Sequence, residues 1–391
     1  MAFLAMDFDN LTLEQAQRSL GLKWNYYDRD VIPSWIADMD YPVAEPLRDL
    51  LYRVAEGSEL GYAPFMQQER LGEIFAARMH SRYGWTLDPA ECDDMTDIVQ
   101  AIHIAVAVLC DDDQQVIVHI PSYHPILSAC RNMKRDILAS PMVKTGQGWQ
   151  LDTDRLDREI RPRTRLLMLV NPHNPTGRAF RRDELERLAE VVLRHDLWVV
   201  SDEIHCDLVY SDAGPHIPFA SLSPEIARKT VTFNSATKSH NLGGVRCSLA
   251  HYGSAELRKR FDRLPAGIRG GSNAIGHRAT RIAWEQCDEW LEYTRQYLQR
   301  NRDDLKEYLT TNLPELDHRS NEATFLTWID CRGLALQEDP AAFFLREARV
   351  GCYSGPLFGE QGTGYLRLNF ATSRAILREK LDRMAGAVRA L

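Results

Sequence analysis

Short apolar runs separated by longer amphipathic stretches set the rhythm of this chain from about residue 46 onward. Runs rich in Val, Ile, Leu and Phe at Gln115–Ile120, Leu166–Val170, Leu197–Ser201, Thr230–Phe233 and Cys247–His251 predict buried strands. Stretches with helical periodicity at Met66–Tyr83, Val99–Leu109, Arg182–Arg194 and Asp288–Asn312 predict helices. Alternation of the two periods is what βαβ units produce, so the expected fold is α/β with a mostly parallel central sheet. Residues 1–45 hold a short helical segment and then the Trp35–Asp40 turn, punctuated by Pro33 and Pro42, and read as an N-terminal arm contributing to a small domain. Residues 46–280 read as the large domain. Residues 281–391, with a long charged helix and a strand at Ala323–Asp330, read as a smaller α/β domain. No repeat or low-complexity tract interrupts this organisation.

Three of the apolar runs end in chemistry. Leu166–Val170 is followed by Asn171-Pro172-His173-Asn174-Pro175-Thr176-Gly177, Leu197–Val200 by Ser201-Asp202-Glu203-Ile204-His205, and Val231–Phe233 by Asn234 and Ser235-Ala236-Thr237-Lys238. Open α/β sheets gather ligand groups beyond the carboxyl ends of their strands. One ligand would therefore meet an amide, a carboxylate, an imidazole, a hydroxyl and an amine, a set that suits pyridoxal 5'-phosphate. A lysine amine holds an aldehyde cofactor as a Schiff base and becomes a nearby base once substrate displaces it, and Lys238 is the candidate. An acidic residue facing the ring nitrogen keeps it protonated, so that the ring withdraws electrons from the substrate Cα; Asp202 is the candidate. Asn174 and His205 would hydrogen-bond the ring oxygen, and Ser235 and Arg246 would hold the phosphate.

These residues resemble those of a known group: the fold-type I pyridoxal-phosphate enzymes of the class I/II aminotransferase superfamily, in the branch of cystathionine β-lyases and cysteine S-conjugate β-lyases. The resemblance runs nearly end to end, through Trp35-Ile36-Ala37-Asp38-Met39-Asp40, Gly61-Tyr62, Pro121-Ser122-Tyr123, Asn171 to Gly177, Asp202 to His205, Lys238 with Asn241, and Arg367-Leu368-Asn369-Phe370-Ala371. It implies that Tyr123 stacks on the cofactor ring and that the backbone amides of Ile98 and Val99 meet its phosphate. It also implies that Arg367 clamps the substrate α-carboxylate, with Asn174 and Asp38 as further substrate contacts, and that Tyr62 crosses a dimer interface to the partner's cofactor phosphate. The active unit is then a homodimer acting on a small amino-acid substrate. The expected reaction is α,β-elimination from an L-cysteine S-conjugate such as L-cystathionine, giving thiol, pyruvate and ammonia. The alternatives are an aminotransferase, and a decarboxylating or deaminating variant in antibiotic biosynthesis of the lincosamide type. Three positions depart from the lyase pattern. His240 replaces a phenylalanine and is expected to place a titratable ring beside the cofactor. Asp97 stands before the two aliphatics of the phosphate loop and would repel a phosphate unless turned away. Arg246 is the choice typical of aminotransferases.

Composition narrows the partners. With 47 Lys+Arg against 55 Asp+Glu, the net charge of −8 argues against a nucleic-acid partner. No apolar run approaches the roughly 20 residues of a membrane helix, and the Met1-Ala2-Phe3-Leu4 start does not read as a secretory signal, so a cytoplasmic enzyme without membrane attachment is expected. Eight scattered cysteines without a Cys-x-x-Cys pair suggest neither a disulfide framework nor a metal site.

Simpler readings compete at several positions. Asn171 to Gly177 also reads as a rigid turn, Glu203 as first-turn acid of a helix, His205 as a core histidine, and Tyr62 and Tyr123 as half-buried aromatics. Ser235-x-x-Lys238 also matches the serine–lysine element of β-lactamases. The Lys144-Thr145-Gly146 triplet, however, precedes that element instead of following it, and Ser211-Asp212 is followed by Ala213 where asparagine is needed.

Overall fold

The computed structural model describes residues 7–62, 66–146 and 148–391. Its centre is a seven-stranded sheet: β1 (Cys92–Met95), β2 (Gln115–Ile120), β3 (Asp136–Pro141), β4 (Thr164–Val170), β5 (Trp198–Asp202), β6 (Thr230–Asn234) and β7 (Ser248–Tyr252). The spatial order is β1-β7-β6-β5-β4-β2-β3. Strands β3, β2, β4, β5 and β6 run parallel, and β7 is antiparallel to both β6 and β1. This is the expected α/β architecture. Strands β4 to β7 are buried along nearly their whole length, which explains their uninterrupted apolar runs.

Two strands escaped the sequence pattern, both at sheet edges. β1 reads Cys-Asp-Asp-Met, with Asp93 facing Arg258 and Arg269, and Asp94 bonded to His277. β3 is half exposed, so its apolar period is weak.

Helices cover the sheet. They include α1 (Glu45–Gly57), α2 (Leu71–Tyr83), α3 (Ile98–Leu109), α4 (His124–Asn132), α5 (Arg182–Arg194), α6 (Ala274–Gln286), α7 (Asp288–Asn312), α8 (Pro340–Glu347) and α9 (Arg374–Arg389). The helix expected from Met66 begins only at Leu71, because Arg70 adopts a left-handed conformation (φ 55°) that interrupts the turn before it. On one side of the sheet, Ala101, Ile102, Ala105 and Val106 of α3 pack with Val116, Met168 and Val200; on the other, Leu185, Leu188 and Val192 of α5 pack with Leu167 and Val199.

A second, antiparallel sheet follows α7, in the order β8 (Asp317–His318), β9 (Leu326–Asp330), β11 (Tyr365–Asn369), β10 (Tyr353–Ser354). The N-terminal arm joins it: Ile32–Pro33 pairs in parallel with Val350–Gly351, and the Asn369 amide donates to the carbonyls of Ile36 and Asp38, both at 2.7 Å. The expected boundary at 280/281 falls inside α6. The Met1–Leu4 start lies outside the described residues.

Candidate active site

The parallel register places Asp202, at the end of β5, beside Val170 of β4 and Phe233 of β6. Three strand ends therefore open into one cavity of about 240 Å³, whose wall includes Tyr123, Asn174, Asp202, His205, Thr237 and Lys238. Ile98, Val99 and Arg246 line it too, as does Ala37 of the arm. Eight of the twelve residues singled out from the sequence thus meet around a single space. The exceptions are Ser235, Asp38 and Tyr62, together with Arg367, which stands behind Asn174 and reaches the cavity through it.

The turn after β4 is shaped by Gly177, at φ 70°, where a Cβ would lie 2.0 Å from the Asn321 amide nitrogen. This tight approach brings Asn174 inward, 4 % exposed, with Oδ1 accepting from Arg367 at 3.0 Å. Asp202 is buried, and its Oδ1 accepts from the Ile204 N–H at 3.2 Å. Burial pushes its pKa up to about 7. His205 is buried with Nδ1 unpartnered, and desolvation lowers its pKa to about 3, so the ring is neutral at physiological pH.

Lys238 follows β6 on a short helical turn, Ala236–Ser239, and its Nζ donates to the Ala37 carbonyl at 2.7 Å. Burial lowers its pKa, with Asp38 opposing the shift. The next loop clips the arm in place: the Asn241 amide donates to the carbonyls of Met39 (3.1 Å) and Tyr41 (3.0 Å), while its Oδ1 accepts from the Met39 N–H (3.1 Å). Asn241 has φ 57°, a conformation asparagine tolerates better than most residues.

Arg367 on β11 is 1 % exposed. Its guanidinium donates to Asn174 Oδ1 and to the Trp35 carbonyl (2.7 Å), leaves Nε unpartnered, and lies over the rings of Tyr353 (4.8 Å) and Phe358 (4.9 Å). All its hydrogen-bond acceptors are neutral, and burial lowers its pKa to about 10. A buried cation without a counter-charge is a site prepared for an anion.

Several expectations are corrected. His240 does not sit beside the cavity: its ring stacks on Trp290 (6.1 Å), contacts the Ser239 hydroxyl (2.9 Å), and faces Asp207 and Arg78 in the core. Asp97 neither turns away nor stands free; it caps α3 by accepting from the Gln100 N–H (2.8 Å) and pairs with Arg246 (2.8 Å). Ser235 lies behind the wall, because its hydroxyl is bonded to the Cys247 carbonyl (2.5 Å) and accepts from the Thr237 N–H (3.1 Å); Thr237 presents itself to the cavity instead. Asp38 turns its carboxylate toward Gly243 in an adjoining hollow. Tyr62, expected to reach a partner's site and not its own, stands fully exposed outside this cavity, which leaves that expectation as it was.

Glu203 is not first-turn acid of a helix. It is wholly buried, accepting from the Ser201 hydroxyl (2.7 Å) and the Phe219 N–H (3.0 Å) and pairing with His216 (2.9 Å). It holds the turn that presents Asp202. Its partner His216 is 13 residues further on, and no local pattern announced the pair. Sequence reasoning also missed the carbonyls of Ala37 and Trp35 as site groups, since backbone oxygens carry no sequence signal. The eight cysteines are all free and buried, and among the described residues no cluster of metal-ligating side chains occurs.

The donor set fits pyridoxal 5'-phosphate: an amine with a depressed pKa, a carboxylate at a strand end, a neutral imidazole with an unpartnered nitrogen, and a helix N-terminus with an adjacent arginine. Comparison with known proteins points the same way. Residues 18–384 match the family model described as aminotransferase class I and II. The chain is 29 % identical to "Cystathionine beta-lyase PatB" of Bacillus subtilis (strain 168), over 98 % of this chain and 100 % of that protein. Among solved structures, that of OvoB is 38 % identical with a TM-score of 0.91, covering 95 % of this chain and 97 % of that one. Cystalysin from Treponema denticola, whose structure contains pyridoxal 5'-phosphate, is 27 % identical with a TM-score of 0.91, covering 98 % and 99 %.

Proposed function

The chain belongs to the aminotransferase class I and II family, and from that premise we propose that it is a pyridoxal-phosphate-dependent carbon–sulfur β-lyase. Its substrates are L-cysteine S-conjugates of the cystathionine kind, cleaved with water to a thiol, pyruvate and ammonia. The observation that carries the reading is the buried, uncompensated Arg367 beside the Lys238–Asp202 cavity, a place for an amino-acid carboxylate next to a place for the cofactor.

The bound cofactor supplies an electron sink for the bond broken at Cα. Each residue has a matching task. Arg367 and Asn174 take the α-carboxylate, whose charge the guanidinium lacks. Orientation of the Cα–H bond follows from that clamp. Lys238, its pKa lowered by burial, is the amine placed to remove the Cα proton, and general-base catalysis of this kind contributes roughly 10²–10⁴ in rate. Asp202 would face the ring nitrogen, where a cationic partner holds its carboxyl ionised despite burial. His205, neutral, would hydrogen-bond the ring oxygen without adding charge. Loss of a thiolate from Cβ then competes with return of the proton, and that competition separates lyase from aminotransferase.

The active unit is a homodimer in this reading. Tyr62 is fully exposed, and Leu51, Tyr52 and Leu60 before it are exposed apolar side chains, a surface that a second copy would cover while Tyr62 reached the partner's phosphate site. Eight unpaired thiols suit a reducing, cytoplasmic setting. In this reading the large domain runs from residue 46 to the end of α6 and the small domain from α7 to residue 391, the arm joining the latter. Aminotransfer is the second reading, favoured by Arg246 in the cavity wall. His240, turned into the core, lends no support to a decarboxylating variant.

The deciding experiment incubates purified protein and its Lys238→Ala variant with L-cystathionine and, separately, with an amino acid plus a 2-oxo acid. Thiol and pyruvate from the first mixture, abolished in the variant, support the lyase. Amino-group exchange alone would replace it by the aminotransferase reading, and turnover by Lys238→Ala would remove the central assignment.

A further inference from the structure

We infer that Asp97 is a built-in rival of the cofactor phosphate, an internal anion that sets how tightly the phosphate end of the cavity holds its ligand. The inference rests on the proposed cofactor site and concerns a residue that site does not need. Asp97 occupies the N-cap of α3: one carboxylate oxygen accepts from the Gln100 N–H at 2.8 Å, and the other accepts from Arg246 at 2.8 Å. Ile98 and Val99, the first residues of the same helix, line the cavity, and so does Arg246. A phosphate binding there seeks the same helix end and the same guanidinium, both natural anion partners. It must share them with a carboxylate already in place.

Two features show that the arrangement is built and yet can yield. The Arg246 backbone has φ 38°, rare for a residue with a side chain, and it is held by the Asn273 amide, which donates to the carbonyls of Val245 (2.7 Å) and Arg246 (3.4 Å). Gly276 makes room for this loop, since a Cβ there would approach the Val245 carbonyl to 2.7 Å. The root of Arg246 is therefore fixed. Its side chain, in contrast, is 64 % exposed and that of Asp97 25 %, so the ion pair is water-accessible and weak enough for an entering phosphate to exchange. What does not leave is the charge of Asp97, tethered at the helix cap within reach of the ligand. Repulsion between like charges in a partly desolvated cup weakens phosphate binding.

Asp97→Asn tests this effect, because asparagine caps helices as well as aspartate: its Oδ1 still accepts from the Gln100 N–H, while its amide nitrogen cannot accept from Arg246, so the rival charge and its hold on that guanidinium are removed together. The full-length chain, freed of cofactor, is titrated with pyridoxal phosphate and with pyridoxal, read by visible absorbance, and with inorganic phosphate, read by calorimetry. The variant should bind pyridoxal phosphate and inorganic phosphate about tenfold more tightly or better, with pyridoxal binding and thermal unfolding unchanged. Unchanged or weaker phosphate binding by Asp97→Asn overturns the inference; weaker binding would make Asp97 a positioning residue for Arg246. Absence of inorganic phosphate binding in both proteins overturns it as well. If the wild-type chain bound inorganic phosphate but not pyridoxal phosphate, the proposed function would fall, while the phosphate titration still decided the role of Asp97.

Discussion

Replacing Arg367 tests the site where structure and chemistry make the sharpest demand. The guanidinium is 1 % exposed, and its two hydrogen bonds go to neutral oxygens, Asn174 Oδ1 and the Trp35 carbonyl. A substrate carboxylate would add charge-assisted hydrogen bonds worth about 1.5–3 kcal/mol each, or about 3–6 kcal/mol for a bidentate pair. Arg367→Ala should accordingly lower kcat/KM by roughly 10²–10⁴. Arg367→Lys keeps the charge but offers a point donor in place of a planar fork, so the loss should be roughly 10–100-fold and fall mainly on KM. Stability should move little in comparison. Deleting the side chain strips two buried oxygens of a donor, yet it also removes a buried charge that has no counter-charge. The assay is steady-state thiol release from L-cystathionine and from an S-conjugate of cysteamine, which has no carboxylate, alongside thermal unfolding. An Arg367→Ala enzyme within about threefold of wild type on cystathionine would refute the clamp. So would an equal loss on both substrates, since an arginine that binds a carboxylate has nothing to offer a substrate without one.

The remaining predictions concern groups around the cavity. Asp202 has its pKa raised to about 7 by burial, so in the cofactor-free chain its contribution to stability is intact below its ordinary range and is lost as pH rises toward 7; Asp202→Asn, measured by denaturant unfolding, should match wild type near pH 4 and exceed it at pH 8 by roughly 1–4 kcal/mol. With cofactor and substrate, the same variant should lose orders of magnitude in turnover, because a neutral ring nitrogen is a poor electron acceptor. Glu203→Ala strands His216, the Ser201 hydroxyl and the Phe219 N–H in the interior, and should cost about 3–5 kcal/mol in the same unfolding assay. Gly177→Ala should destabilise by about 1–3 kcal/mol, since it places a Cβ at positive φ against the Asn321 side chain.

Much of the site was legible because catalytic residues follow strand ends, and strand ends are where apolar periodicity stops. Lys238, Asp202 and Asn174 were found this way, and the cavity contains all three. Edge strands were less legible: Cys92–Met95 satisfies its acids with Arg258, Arg269 and His277 far along the chain, and so looks like a loop. His240 shows the limit from the other side. Two residues from Lys238 on a short helical turn, it is carried to the opposite side and into contact with Trp290. Nearness in sequence did not mean nearness to the chemistry.

By itself, the sequence determined which functional groups this protein owns and which strands deliver them, because side-chain type and hydrophobic period are local properties. Only the tertiary structure decided what each group is. Asp202 and Glu203 are adjacent carboxylates, yet one enters the cavity with a raised pKa and the other is buried and hydrogen-bonded to His216. Asp97 and Arg246, 149 residues apart, become partners in the wall of the same cavity. Burial and long-range pairing set charge, and charge sets chemistry; both depend on contacts between segments that no local stretch of sequence contains.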